Sequence, residues 1–89
     1  MNPVFFSKCR IQIMSIVSNG EQARFKFLRK VTNLSDGNLA SHLRALEKNG
    51  MISYRKQFIG RMPATFYRIT DKGRKEFAIF KRDMMELIT

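Results

Sequence analysis

Ser35, Gly37, Asn38, Ser41, His42, Arg44 and Lys48 fall within fourteen consecutive residues. Together they offer hydroxyls, an amide, an imidazole and two cations, with no bulky side chain among the first five. Leu39, Leu43 and Leu46 run through the same stretch at intervals of four and three, the spacing of a helix buried along one side. The polar residues then fall away from the leucines on a slim surface suited to hydrogen bonding. Gly37 stands out because a glycine inside a helix costs about 1 kcal/mol relative to alanine, which points to a close approach or to strain. His42 can contact a partner or serve as a capped, structural histidine.

Bond-breaking chemistry finds no support. His42 is the only histidine and Cys9 the only cysteine, so a histidine- or cysteine-rich metal site and an internal disulfide are both excluded. Paired carboxylates, a nucleophile with its base and a glycine-rich phosphate loop are all missing, so neither an enzyme nor a cofactor is expected. Charge is more informative. Seventeen Lys and Arg against seven Asp and Glu give a formal net charge of +10, and a field of that sign draws polyanions from about a Debye length away. Nucleic acid or an acidic membrane surface would respond to it. No apolar run approaches the roughly 18 residues needed to span a bilayer, and the N-terminus MNPVFFSKCR lacks the continuous apolar core of a signal peptide. The protein is expected in the cytoplasm.

The elements that would position these residues can be read in order. Asn2-Pro3 suits a helix start, and Phe5, Phe6, Cys9, Ile13, Ile16 and Val17 continue it to a stop at Asn19-Gly20. Ile11 and Met14 widen that stripe, so part of it is expected to face a partner. Cys9 reads as a small buried hydrophobe. A second short helix spans 24–32, with Phe25, Leu28 and Val31 inside, Phe27 beside them, and Lys26, Arg29 and Lys30 on a basic surface. Residues 21–23 could pair as a minimal strand. About three residues separate this helix from the next, which Ser35 caps and Asn49-Gly50 closes, the tight connection of a helix-turn-helix. Two β-prone runs, 51–58 and 65–70, then flank a tip of Ile59-Gly60-Arg61-Met62-Pro63-Ala64. Pro63 cannot donate to a ladder, so it belongs in the tip or at an edge. Thr70 or Asp71 caps a last helix in which Phe77, Phe80, Met84 and Leu87 fall as at a coiled-coil seam.

At this point one joint pattern becomes specific. Asp36-Gly37-Asn38-Leu39, His42-Leu43, Leu46-Glu47 and Gly50, followed by Gly60-Arg61, Pro63, Thr65, Tyr67, Ile69-Thr70 and Gly73, resemble the small prokaryotic winged-helix transcriptional regulators related to the MarR and ArsR families. The similarity covers about residues 10–77. It implies an α+β, mainly α fold, a winged helix-turn-helix of three helices, a β-hairpin wing and a long C-terminal helix. It also implies a dimeric regulator that reads double-stranded DNA. The family's tip often carries a base after its proline, where this chain has Ala64, so the wing's grip rests more on Arg61.

The expected molecule is therefore one domain over residues 1–89. A recognition helix over 35–49 enters the major groove, with Ser35 and its neighbours offering amides to phosphate and Asn38, Ser41 and His42 facing base edges. Arg44 and Lys48 suit the flanking backbone. A wing over 55–65 applies Arg55, Lys56, Gln57 and Arg61 to the backbone or minor groove, and Lys26, Arg29 and Lys30 flank the same duplex. Residues 71–89 form a dimerisation helix. Phe77, Phe80, Met84, Met85, Leu87 and Ile88, with Phe5 and Phe6 of the first helix, make the homodimer interface. A small-molecule effector is not identified by any residue pattern. The competing reading is a nonspecific architectural DNA- or RNA-binding protein.

Overall fold

The N-terminal segment folds in two pieces. In the computed structural model, which describes residues 2–89, Asn2 and Pro3 start only a 3-10 turn, Pro3–Phe5, with the Asn2 side chain accepting from the Val4 amide at 3.0 Å. The helix proper, α1, is Lys8–Val17, capped by Ser7, whose hydroxyl accepts from the Arg10 amide. Ser7 thus does the work expected of Asn2. The break accompanies a Phe5 that enters the core and a Phe6 that stays exposed.

The remaining elements are β1 Ala23–Arg24, α2 Phe25–Thr32, α3 Asp36–Lys48, β2 Ile52–Ile59, β3 Met62–Ile69 and α4 Asp71–Ile88. The minimal strand exists, shifted to Ala23–Arg24, and pairs with β3 to make a three-stranded antiparallel sheet in the order β1-β3-β2. Asn33 takes a left-handed conformation (φ 56°) that ends α2, and Ser35 opens α3 by accepting from the Asn38 amide at 3.1 Å. Gly50, at φ 77°, reverses the chain after α3. This is the winged helix-turn-helix architecture, mainly helical.

The hairpin is tighter than expected. Ile59 pairs with Met62, so the turn is only Gly60-Arg61, with Gly60 at φ 62°; a two-residue hairpin turn needs such left-handed backbone. Pro63 sits inside β3 opposite Phe58 rather than in the tip. It is tolerated there because β1 reaches only Phe66 and Tyr67, leaving β3 with a neighbour on one side at Pro63.

The core joins every helix to the sheet. Ile13, Met14 and Val17 of α1, Leu28 of α2, Leu39, Leu43 and Leu46 of α3, Met51 and Ile52, and Phe77 and Phe80 of α4 are buried around Phe5. Each fully buried side chain of this size contributes about 1.5–3 kcal/mol. Phe5 packs edge-on to Phe77 at 5.5 Å and tilted to Phe80 at 5.3 Å. These three aromatics belong to the protomer's own core, and Phe77 and Phe80 also line a groove between α1 and α4. Met14, expected to help face a partner, is also buried, whereas Ile11 is only half covered. Phe27 and Val31 are exposed, so α2 is held by Leu28, with Phe25 half buried. Cys9 is likewise half buried.

Candidate nucleic-acid interface

Three leucines at 0–2% exposure anchor α3, and at 100° per residue they fix what its far side presents. Gly37, Ser41, Arg44 and Lys48 form one outward stripe, all exposed. A Cβ built on Gly37 meets nothing within 4 Å. No internal contact therefore requires the glycine, and the free space lies on the outer surface. Ser35, at the N-terminus, holds the Asn38 amide, and the first turn of α3 ends in open solvent with Asn38 exposed beside it.

His42 lies on the flank toward α1 rather than in the stripe. Arg10 Nε donates to His42 Nδ1 at 3.0 Å, and Arg10 Nη1 donates to the Val4 carbonyl at 3.3 Å. Partial burial, then the Arg10 charge, hold the imidazole's pKa below its usual value. With Nδ1 accepting, the neutral ring carries its proton on Nε2. The ring is thus oriented by the fold, as a structural histidine would be, and it keeps one donor. Sequence reasoning missed Arg10 as its partner because the two are far apart in the chain.

The wing divides its residues between two faces. Side chains alternate along a strand and paired residues share a face, so Tyr54/Tyr67, Lys56/Thr65 and Phe58/Pro63 share one, while Arg55/Phe66, Gln57/Ala64 and Ile59/Met62 share the other. The first face turns toward α3: Tyr54, Lys56, Thr65 and Tyr67 line a groove with Ala40, Leu43, Arg44 and Glu47. The tyrosine rings lie 6.1 Å apart. Burial first, then Tyr54 and Glu47, raise the Tyr67 phenol's pKa, so it stays a neutral hydroxyl. Arg44 and Lys56 are brought to one groove. Arg55 and Gln57 are not, and Arg61 projects from the turn. The tyrosines went unrecognised as site residues, although locating the turn at Gly60-Arg61 would have given the register that pairs them.

On α2, Lys26 and Lys30 are exposed and four residues apart, on one side of the helix. Arg29 differs from them. Its Nε is 2.7 Å from Asp36 Oδ1 at the start of α3, so its charge is offset by that acid, and the pair bridges the two helices of the helix-turn-helix. Exposed pairs of this kind contribute about 0–1 kcal/mol.

At the opposite end, Ile11 and Ser15 of α1 and Phe77, Phe80, Lys81, Met84 and Met85 of α4 line an apolar groove. The edges of Phe77 and Phe80 form its floor. Phe6, Met85, Leu87 and Ile88 stay exposed around and beyond it. Among the described residues no group of three or more His, Cys, Asp or Glu could hold a metal ion, and no helix is long and apolar enough to cross a membrane.

Known proteins share this arrangement. A family model described as a winged helix DNA-binding domain matches residues 9–88. An uncharacterized protein of Methanocaldococcus jannaschii is 33% identical over 84 residues, covering 94% of this chain and 91% of that protein. A transcriptional regulator homologue from Pyrococcus horikoshii has a structure similar at a TM-score of 0.88 with 34% identity, over 96% of this chain and 84% of that one. Bacillus subtilis PadR in complex with operator DNA gives a TM-score of 0.70 at 16% identity, over 80% of this chain and 45% of that one. At that identity the likeness is one of fold alone.

Proposed function

The chain belongs to the winged helix DNA-binding domain family, and a similar protein is described as a transcriptional regulator homologue; on that premise we propose that it is a sequence-specific regulator binding double-stranded DNA as a homodimer. In this reading α3 enters the major groove and the wing lies over the backbone or minor groove, inside the cytoplasm. One observation carries it: the outward stripe of Gly37, Ser41, Arg44 and Lys48 is slim, polar and cationic, and lies beside a hairpin that brings Lys56 into the same groove as Arg44. A groove about 12 Å wide admits a helix only where its outward side chains are small or extended. Asn38, Ser41 and the Nε2 donor of His42 supply hydrogen bonds to base edges. Ser35, Lys26, Lys30, Arg55 and Arg61 serve the backbone. The PadR neighbour, described in complex with operator DNA, supports the same use of the fold here.

Dimerisation through α4 is supported by the apolar groove and by Met85, Leu87 and Ile88, which the protomer leaves uncovered. Two recognition helices would then meet half-sites about one helical turn apart. Affinity for a duplex selected from a random pool, compared with its scrambled version at two salt concentrations, tests the whole reading. The expected result is a steep loss with salt for both and a preference for the selected site. Equal affinity for both duplexes would make the protein an architectural binder instead.

A further inference from the structure

The wing ends in an apolar tip that neither the core nor the helix contact uses. Phe58 is 75% exposed, Met62 60% and Ile59 45%, with Pro63 also exposed opposite Phe58. Apolar surface of this kind at the end of a two-stranded arm marks a contact site. Its surroundings indicate the kind of partner. From Ser53 to Ile69 the hairpin carries Arg55, Lys56, Arg61 and Arg68 and no acid, so a polyanion fits it and a basic surface does not.

Register then selects the residue. Phe58 and Pro63 share the hairpin face of Lys56 and Thr65, the face turned toward α3, and lie one pleat repeat farther out, about 7 Å. Ile59 and Met62 point to the opposite face. A duplex seated on α3 and Lys56 and continuing along that face would therefore run beneath Phe58 and Pro63.

Resting on the duplex-binding reading above, we propose that Phe58, with Pro63 opposite it across the hairpin, is a wedge that enters the minor groove and partly unstacks a base step, so that the protein bends the DNA it binds. Apolar side chains used in this way open pyrimidine–purine steps most readily. Lys56 and Arg61 hold phosphates on either side and keep the ring at the groove. The tip then adds shape-dependent specificity that α3 alone does not supply.

The test uses the full chain and a duplex selected by it from a random pool, with 2-aminopurine placed in turn beside each pyrimidine–purine step and end-labels for energy transfer. The wild type should raise 2-aminopurine fluorescence at one step per half-site and shorten the end-to-end distance. Phe58→Ala should lose both signals and bind about tenfold more weakly with an unchanged salt slope, while Phe58→Met should keep part of the unstacking. Arg61→Ala should lower the salt slope by about 1 and, because Arg61 helps hold the ring at the groove, reduce the fluorescence change without abolishing it. Wild-type binding with no unstacking, or Phe58→Ala with wild-type fluorescence and bending, overturns the wedge alone. A change of oligomeric state in Phe58→Ala with DNA deformation intact would assign the tip to a second copy and overturn it equally. Failure of the wild type to bind any duplex removes the functional reading, and the wedge with it.

Discussion

Arg10 of α1 donates through Nε to Nδ1 of His42 on α3 at 3.0 Å, tying the helix proposed to read DNA to the one behind it. The bond needs a neutral imidazole, since a protonated ring has no acceptor at Nδ1. Burial and the Arg10 charge depress the folded pKa below an unfolded value near 6.5. The unfolded chain therefore takes up the proton first, and folding stability is fully present above about pH 6.5 and declines as pH falls toward the folded pKa. The thermal midpoint of the wild type should drop between pH 7.5 and pH 5 by more than that of His42→Asn, which retains an acceptor that does not titrate. Arg10→Met should also flatten the profile, because it removes both the bond and the repelling charge. Parallel pH profiles for all three proteins would show that the couple does not control this part of the stability.

A second constraint lies where α4 meets the end of α3. Thr70 caps α4 by accepting from the Gly73 amide at 2.9 Å, and its own amide donates to the Met51 carbonyl at 3.1 Å. This draws Gly73 so close to Met51 that a Cβ would overlap its carbonyl oxygen. Backbone cannot yield as a flexible side chain can. Gly73→Ala should therefore cost about 1–3 kcal/mol despite its better helix propensity, read as a lower urea midpoint. Thr70→Ala should cost about 1 kcal/mol through loss of the cap. An alanine at Gly73 that left the midpoint unchanged would mean that α4 can shift without loss.

These two sites also show how far the sequence could be read. The leucine spacing of α3, its Ser35 cap and its Gly50 terminus, and the Thr70 cap of α4 were all legible because each is decided within one turn of chain. The break before Ser7 was not, since Asn2-Pro3 and Ser7 are both good starts and only the burial of Phe5 chooses between them. Phe77 and Phe80 show a similar limit. Helical spacing says that they share a face, not whether the protomer or a partner covers it. Gly73 was noticed as part of a pattern, but its cause is a contact with Met51, and His42 acquired its partner from another helix; neither relation can be read from local spacing. The relation of Arg44 and Lys56 across one groove was likewise tertiary.

Gly37 offers a direct separation of stability from binding. Its added Cβ would meet nothing in the protein, and the residue sits in the first turn of α3. Gly37→Ala should therefore raise stability by about 0.4–1 kcal/mol. If the open space is where DNA comes close, the same substitution should weaken binding to the selected duplex, and Gly37→Leu should weaken it further without unfolding the chain. Chemical denaturation and duplex titration on the same samples give both quantities. Stabilised variants that bind as tightly as the wild type would remove Gly37 from the interface.

The exposed end of α4 provides the remaining test. Met85, Leu87 and Ile88 are uncovered, and Met84 and Met85 border the groove shared with Ile11 of α1. If two chains pair through this surface, Leu87→Glu combined with Ile88→Lys should yield monomers at micromolar concentration in sedimentation equilibrium, with the thermal midpoint of the isolated fold largely kept, because neither side chain contributes to the buried core. Binding to a duplex with two half-sites should then fall much more than binding to a single half-site, since the second contact loses its high effective concentration. Phe77→Ala makes the contrasting case. Phe77 is 2% exposed and packed on Phe5 and Phe80, so it should cost about 3–5 kcal/mol of folding stability whether or not the chains associate. A double variant at the helix end that remained dimeric would move the two-fold contact to another surface, for which the exposed Phe27 and Val31 beside Ile16 are the next apolar site.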